Sequence, residues 1–221
     1  MKIDQIIRTR RKTFALIVQR DGSLVVRAPL RATDDQVADL MRKKEKWIKA
    51  KQELARQTYA KTLPKEYVNG EGFLYLGKPY QLAIVDNQQP PLTLSDQFYL
   101  SKSALPHAEA VLKAWYAQQA FQVISERVKW YAAQNSYFYQ GVKITNARTR
   151  WGSCGPRGSL NFSWRLVMAP VRVIDYVVVH ELVHLREKNH SKAYWNKVKL
   201  LMPDYQGQIN WLHVNGHLLT I

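Results

Sequence analysis

The sequence predicts an α+β protein, and three observations carry that prediction. Short runs rich in β-branched and aromatic residues recur in the first hundred residues and again between 142 and 168. A long amphipathic stretch fills 106–134. An apolar run over 171–185 has helical spacing and begins just after Pro170.

In chain order, residues 12–28 read as a β-hairpin. Phe14, Leu16 and Val18 on one side and Leu24 and Val26 on the other flank Asp21-Gly22, a strong hairpin turn, and Pro29 closes the second strand. Thr33, Asp34 and Asp35 offer helix caps. Val37, Leu40, Met41, Lys44, Trp47 and Ile48 then keep a helical period, so a basic helix is expected to run to about Tyr59. Short strands follow over 73–76 and 81–85, with turns at Gly77-Lys78 and 87–91. The composition shifts near Ser101-Lys102-Ser103. Beyond it the helix over 106–134 presents Val111, Leu112, Trp115, Tyr116, Ala120, Val123, Ile124 and Val128 on one face. Two strands are expected next, over 142–151 and 160–168. This order predicts a β-rich accessory domain over 1–104 and a compact α+β catalytic domain over 105–221.

The helix expected from residue 171 carries His180-Glu181-Leu182-Val183-His184, an H-E-x-x-H sequence. Residues four apart share a helix face, with Cβ atoms about 5–6 Å apart. His180 and His184 can therefore aim their imidazoles at one metal ion. Glu181 sits three residues before His184 and can lean over the same point without occupying a coordination position. Two histidines, a third ligand and a nearby carboxylate are what zinc needs to activate water. The helix is expected to stop near Lys188-Asn189, where Asn tolerates a left-handed backbone and turns His190 back towards the metal.

The third ligand follows by elimination. No glutamate lies beyond Glu187, so the candidates downstream are His190, Asp204, His213 and His217. Asn215-Gly216 breaks any helix between His213 and His217, which read as C-terminal loop residues. His190 is the expected ligand, and His107, beside Pro106, reads as a surface residue.

Composition bounds the rest. At 221 residues the chain can bury a real core. Its start lacks the apolar stretch of a signal peptide, no apolar run spans a membrane, and a single cysteine, Cys154, excludes an intrachain disulfide; a cytoplasmic location is expected. The net charge is +16, and residues 1–65 hold 17 Lys/Arg against 7 Asp/Glu. Such a surplus reads first as a solvated face of a soluble protein and second as a surface that attracts polyanions, which would give the N-terminal part non-specific contact with nucleic acid. No zinc-finger, P-loop or RNA-recognition signature accompanies it.

Several segments resemble one family. Residues 150–154 (Arg-Trp-Gly-Ser-Cys), 160–166 (Leu-Asn-Phe-Ser-Trp-Arg-Leu), 174–184 with the H-E-x-x-H, Asn189-His190-Ser191 and Tyr194-Trp195 look like the YgjP-like metallopeptidases, a group similar to the SprT and WLM zinc proteases. The resemblance covers most of the chain. It implies a zincin-like catalytic half, one Zn2+ per chain on His180, His184 and His190, and Glu181 as catalytic carboxylate. The histidine spacing also matches the metzincins, which carry a glycine where this chain has Glu187.

The expected chemistry is metal-assisted hydrolysis of a peptide or protein, with Glu181 as general base. Tyr194, Arg150 and Arg165 are candidates to steady the developing oxyanion or bind substrate, and Tyr194 with Trp195 reads equally as core packing of a short helix. Residues 160–168 are a candidate edge strand onto which an extended peptide adds. Cys154 is either a further metal ligand, a redox-sensitive thiol or a packed side chain. The turn holding Gly152, Gly155 and Gly158 reads as a hairpin or as an anion cradle. Two other readings compete. One is a single-metal nucleotide or phosphoanhydride hydrolase of pyrophosphatase type, motivated by Arg148, Arg150, Arg157 and Arg165. The other is a nucleic-acid-associated protein with a structural zinc.

Overall fold

The computed structural model describes residues 2–19, 22–61 and 64–221. The chain is α+β and divides into two compact units, Met1–Leu63 and Pro64–Ile221.

In the first unit, β1 (Gln5–Thr9) pairs parallel to β3 (Leu24–Pro29), and β2 (Ala15–Val18) pairs antiparallel to β3, giving the order β1-β3-β2. The expected hairpin is present, while Asp21 of its turn lies outside the described residues. Thr33 caps α1 (Asp34–Lys43) in a full capping box: its hydroxyl accepts from the Gln36 N–H, and the Gln36 side chain accepts from the Thr33 N–H. The expected single helix is interrupted at Lys44, so that α2 (Glu45–Lys61) is separate. Leu24, Val26 and Ala28 from the sheet bury against Val37, Met41 and Ile48 from the helices.

The second unit holds two sheets and four α-helices among the described residues. β4 (Gly72–Tyr75), β5 (Lys78–Val85), β6 (Leu92–Leu94) and β7 (Phe98–Ser101) form a sheet of order β4-β5-β7-β6. A 3₁₀ turn over Lys102–His107 leads into α3 (Ala108–Gln134). Leu112, Tyr116, Ala120, Ile124 and Val128 form its buried ridge, four residues apart as expected. β8 (Gly141–Thr145), β9 (Gly152–Cys154) and β10 (Ser159–Ser163) form the second sheet, of order β8-β10-β9. A 3₁₀ segment, Trp164–Met168, precedes α4 (Val171–Val183), α5 (Lys192–Leu201) and α6 (Tyr205–Asn215).

Four sequence expectations change here. The division falls at Leu63/Pro64 instead of 104/105, because Phe73, Leu82, Phe98 and Leu100 share one core with Leu112 and Tyr116 of α3. The Tyr116 hydroxyl also donates to the Leu74 carbonyl, 2.7 Å away. Residues 160–168 are not an edge strand. β10 lies in mid-sheet, bonded on both sides, and the chain leaves it at Ser163. The carbonyls of Val167 and Met168 then accept from the N–H groups of Leu76 and Gly77, which favours a 3₁₀ turn there. Residues 142–151 form a strand only to Thr145, and β9 is a separate short edge strand. Finally, His213 lies within α6 and His217 in the following 3₁₀ turn (Gly216–Leu218), because Gly216 keeps a right-handed backbone and does not break the chain.

Candidate metal centre

α4 is the buried helix that carries the motif. Val173, Ile174, Val178, Val179, Leu182 and Val183 are all 0–1 % exposed, so its β-branched residues serve packing on every side. Buried backbone of this kind must be hydrogen-bonded internally, and a helix does so without neighbours. Asp175, itself buried, receives a bidentate pair from Arg127 of α3, Nε to Oδ1 at 2.5 Å and Nη2 to Oδ2 at 2.9 Å. This locks α4 to α3 five residues before His180.

The helix ends earlier than expected, at Val183, with His184 as its C-cap. The turn is made by tight backbone bonds from Leu185 to Leu182 and from Arg186 and Glu187 to Val183, so Asn189 is not needed in a left-handed conformation. The turn places the Glu187 carbonyl 2.9 Å from His184 Nδ1. Nδ1–H donates to that carbonyl, which leaves Nε2 with a free lone pair. Lys197 of α5 holds the Glu187 carboxylate.

His190 returns as the sequence predicts. Its Nε2 lies 3.1 Å from His184 Nε2 and 3.1 Å from His180 Nε2. These three residues form a candidate metal-binding group among the described residues. Zinc–nitrogen bonds of 2.0–2.1 Å at a tetrahedral angle separate the nitrogens by about 3.3 Å, so the donor set fits zinc. A stack orients the third histidine: His190 lies on Trp195 at 5.7 Å between centroids, and Trp195 lies on Tyr205 at 5.5 Å. Ser191 caps α5 by accepting from the Tyr194 N–H. Thus the Asn189-His190-Ser191 and Tyr194-Trp195 segments act as one device.

Glu181 is 4 % exposed. Burial pushes its pKa up to about 8, while Arg150 and the Cys154 N–H pull it the other way. Burial drives His180 down to about 3, and His184 and His190 add to the drop. His190 is lowered too, by burial and then by His184. Neutral imidazoles are the form that binds a metal.

Gly152 of β9 is a site residue that the sequence does not mark as such. A Cβ there would stand 2.5 Å from Glu181 Oε1 and 2.7 Å from its Cγ, so only glycine leaves room for the carboxylate. The strand's register explains why it borders the site. Trp151 accepts from Ser163 and Gly155 donates to Ser159, so alternate residues face β10. Gly152 and Cys154 therefore direct their backbone groups to the open edge, where the Cys154 N–H meets Glu181.

The remaining candidates separate. Arg150 lines a cleft of about 320 Å³ with Trp151, Tyr176, Glu181 and α6 residues. Arg165 does not line it. Its guanidinium stacks on Trp164 at 4.2 Å and donates to Asn146 at 3.0 Å. Tyr194 is fully buried, and its hydroxyl donates to the His180 carbonyl at 3.0 Å, so it supports the helix from within. Cys154 does not join the three histidines as a ligand. Its Sγ lies 3.6 Å from the Gly155 carbonyl, and burial raises its pKa. The glycine-rich segment is a hairpin turn, with Gly158 at φ +83° donating to the Gly155 carbonyl. His107 is exposed, and His213 lines the cleft without joining the metal group.

No curated protein matches the chain. A solved structure, the metallopeptidase zymogen of Pyrococcus abyssi abylysin, shares 16 % identity over 44 % of this chain and 96 % of that one; its TM-score is 0.39, a level that assigns no residue here. The family model described as YgjP-like, metallopeptidase domain, matches residues 12–215, a span that takes in the three histidines, Glu181, β9 and most of the first unit. The chain belongs to the YgjP-like metallopeptidase family.

Proposed function

We propose that this protein is a zinc-dependent peptidase that cleaves an extended polypeptide lying along the open edge of β9. One observation carries the reading: three Nε2 atoms, of His180, His184 and His190, converge beside the buried carboxylate that α4 carries next to His180. One zinc ion, when bound, would acidify a water molecule and polarise the scissile carbonyl. His180, His184 and His190 would hold it through Nε2. Glu181 accepts the proton of the attacking water and delivers it to the departing amine. A carboxylate kept basic by burial suits that exchange near neutral pH, and a cation on the histidines draws its proton affinity lower. The outward backbone groups of Gly152 and the Cys154 carbonyl can pair with the substrate main chain, as peptides add to sheet edges elsewhere, while the Cys154 N–H serves Glu181. Arg150 meets the substrate at the rim.

Arg150 also motivates the reading of the site as a single-metal nucleotide or phosphoanhydride hydrolase. Among the described residues lining the two clefts beside the histidines, Glu181 is the only carboxylate, a scarcity that weakens a two-metal version of that chemistry but not a single-metal one. A structural zinc would take four protein ligands, whereas three converge here. A cytoplasmic location belongs to the same proposal. Among the described residues, no helix is long and apolar enough to cross a membrane.

The test is Glu181→Gln with zinc loaded, assayed on a mixed peptide pool and a nucleotide panel. We expect zinc to stay and peptide hydrolysis to fall about 10³-fold. Wild-type turnover in the variant would remove Glu181 from the mechanism.

A further inference from the structure

The groove beside the histidines is asymmetric. Two clefts meet at Gly152, His180 and Glu181. One, of about 350 Å³, is lined by Ser153, Cys154 and Lys188 as well as the histidines, and exposes about as much polar as apolar surface. The other, of about 320 Å³, runs from Glu181 between α4 and α6. Its walls are Trp151, Val177, Ile209 and Leu212, and Arg150 and His213 also line it.

The apolar walls are built and held. Ile209 and Leu212 are three residues apart on one face of α6 and remain half-buried, although they pack against the core. Trp151 is pinned from behind. A Cβ at Gly216 would stand 2.9 Å from its Cζ2, so the indole lies directly on the backbone after α6. Apolar surface arranged around a concave space, with a few polar groups among it, is the usual make-up of a ligand pocket.

We infer that this cleft selects substrate by taking one bulky apolar side chain, such as Phe or Leu, from the residue next to the scissile bond on the Trp151 side. The inference rests on the peptidase reading. A main chain paired with β9 passes Gly152, where the cleft opens, so an adjoining side chain enters between Trp151 and Leu212. Burying that side chain removes both it and the cleft walls from water. The cleft beyond Cys154 exposes less apolar surface and offers a smaller gain, so selection is stronger on the Trp151 side.

Two measurements on the full chain test this. Zinc-loaded Glu181→Gln protein is titrated with blocked peptides that differ only in one residue (Phe, Leu, Gly or Asp), and the methyl signals of Ile209 and Leu212 and the Trp151 indole are followed by NMR. Phe and Leu peptides should shift these signals and bind at least about tenfold more tightly than Gly or Asp peptides. In parallel, wild type and Leu212→Trp are assayed on peptides varied on each side of the cleaved bond. Filling the cleft should lower kcat/KM for Phe and Leu substrates at least about tenfold and spare Gly substrates, with zinc content unchanged. Leu212→Ala, which widens the cleft, covers the case in which the Trp variant does not fold, and should shift preference towards larger side chains. Binding with these shifts but no cleavage by wild type would sink the peptidase reading and leave the cleft's selectivity standing. Cleavage with equal preference for Gly and Phe, or shifts away from the cleft, would overturn the inference alone.

Discussion

The two units of this protein handle charge in opposite ways. Among the described residues of Met1–Leu63 the ion pairs sit at the surface: Arg8 pairs with Asp34 and Lys49 with Glu45, all well exposed, and such pairs contribute little. In Pro64–Ile221, by contrast, two carboxylates are buried on a single helix, Asp175 and Glu181. Burying a carboxylate is costly unless it is paired, and these two are treated differently. Asp175 has its guanidinium partner. Glu181 has only a backbone N–H and a more distant arginine, and its pKa rises. The difference teaches where function sits: a buried acid with a full partner holds the fold, and one left short of partners is available for proton transfer.

Changes at the buried carboxylates should therefore be felt most. Arg127→Ala strands Asp175 in the core and should destabilise the protein by about 3 kcal/mol, read as a lowered denaturant midpoint. A loss under about 1 kcal/mol would mean the pair is not structural. Gly152→Ala crowds Glu181 without touching a histidine. Peptide hydrolysis should drop about 10- to 100-fold with zinc content nearly unchanged and stability lowered by about 1–3 kcal/mol, since small displacements of catalytic groups and overpacking have costs of that order. Activity equal to wild type would show that the carboxylate can move aside. Trp195→Ala removes the middle of the aromatic stack and should weaken zinc affinity about tenfold, measured by competition with a chelator. Unchanged affinity would leave His190 oriented by its loop alone.

The first unit should give the smallest effects. Changing Lys43, Lys44 and Lys46 to Gln should alter stability by less than about 0.5 kcal/mol and leave zinc binding alone. The proposed contact with polyanions predicts weaker, less salt-dependent binding of a nucleic-acid oligomer by this variant. Equal salt slopes would remove that role from the lysines.

Much of this was legible in the sequence because it is local. The i, i+4 pair His180 and His184 and the ridge of α3 need only a helical period to be read, and the cap at Thr33 only its residue type, although its capping-box partner Gln36 is not part of that reading. His190 was reachable by elimination, although the turn that delivers it comes at 184–187 rather than at Asn189. What was hidden depends on partners distant in the chain. The edge position of β9 follows from β10 pairing with β8 on its other side, which no periodicity within 142–168 reveals. The need for glycine at 152 arises from a side chain 29 positions later. Tyr194 reads either as core packing or as an oxyanion donor beside His190; its burial and its hydroxyl, turned to the His180 carbonyl, decide for packing. Likewise, residues 72–101 looked separable until their apolar faces met α3.

The central claim is that three histidines build one zinc site beside Glu181. Metal content by mass spectrometry on untagged protein, wild type beside His190→Ala, tests it most directly. We expect one zinc per wild-type chain and a much reduced content in the variant. Wild-type protein that carries no zinc and takes none up when it is supplied, or a variant that keeps a full complement, would contradict the account.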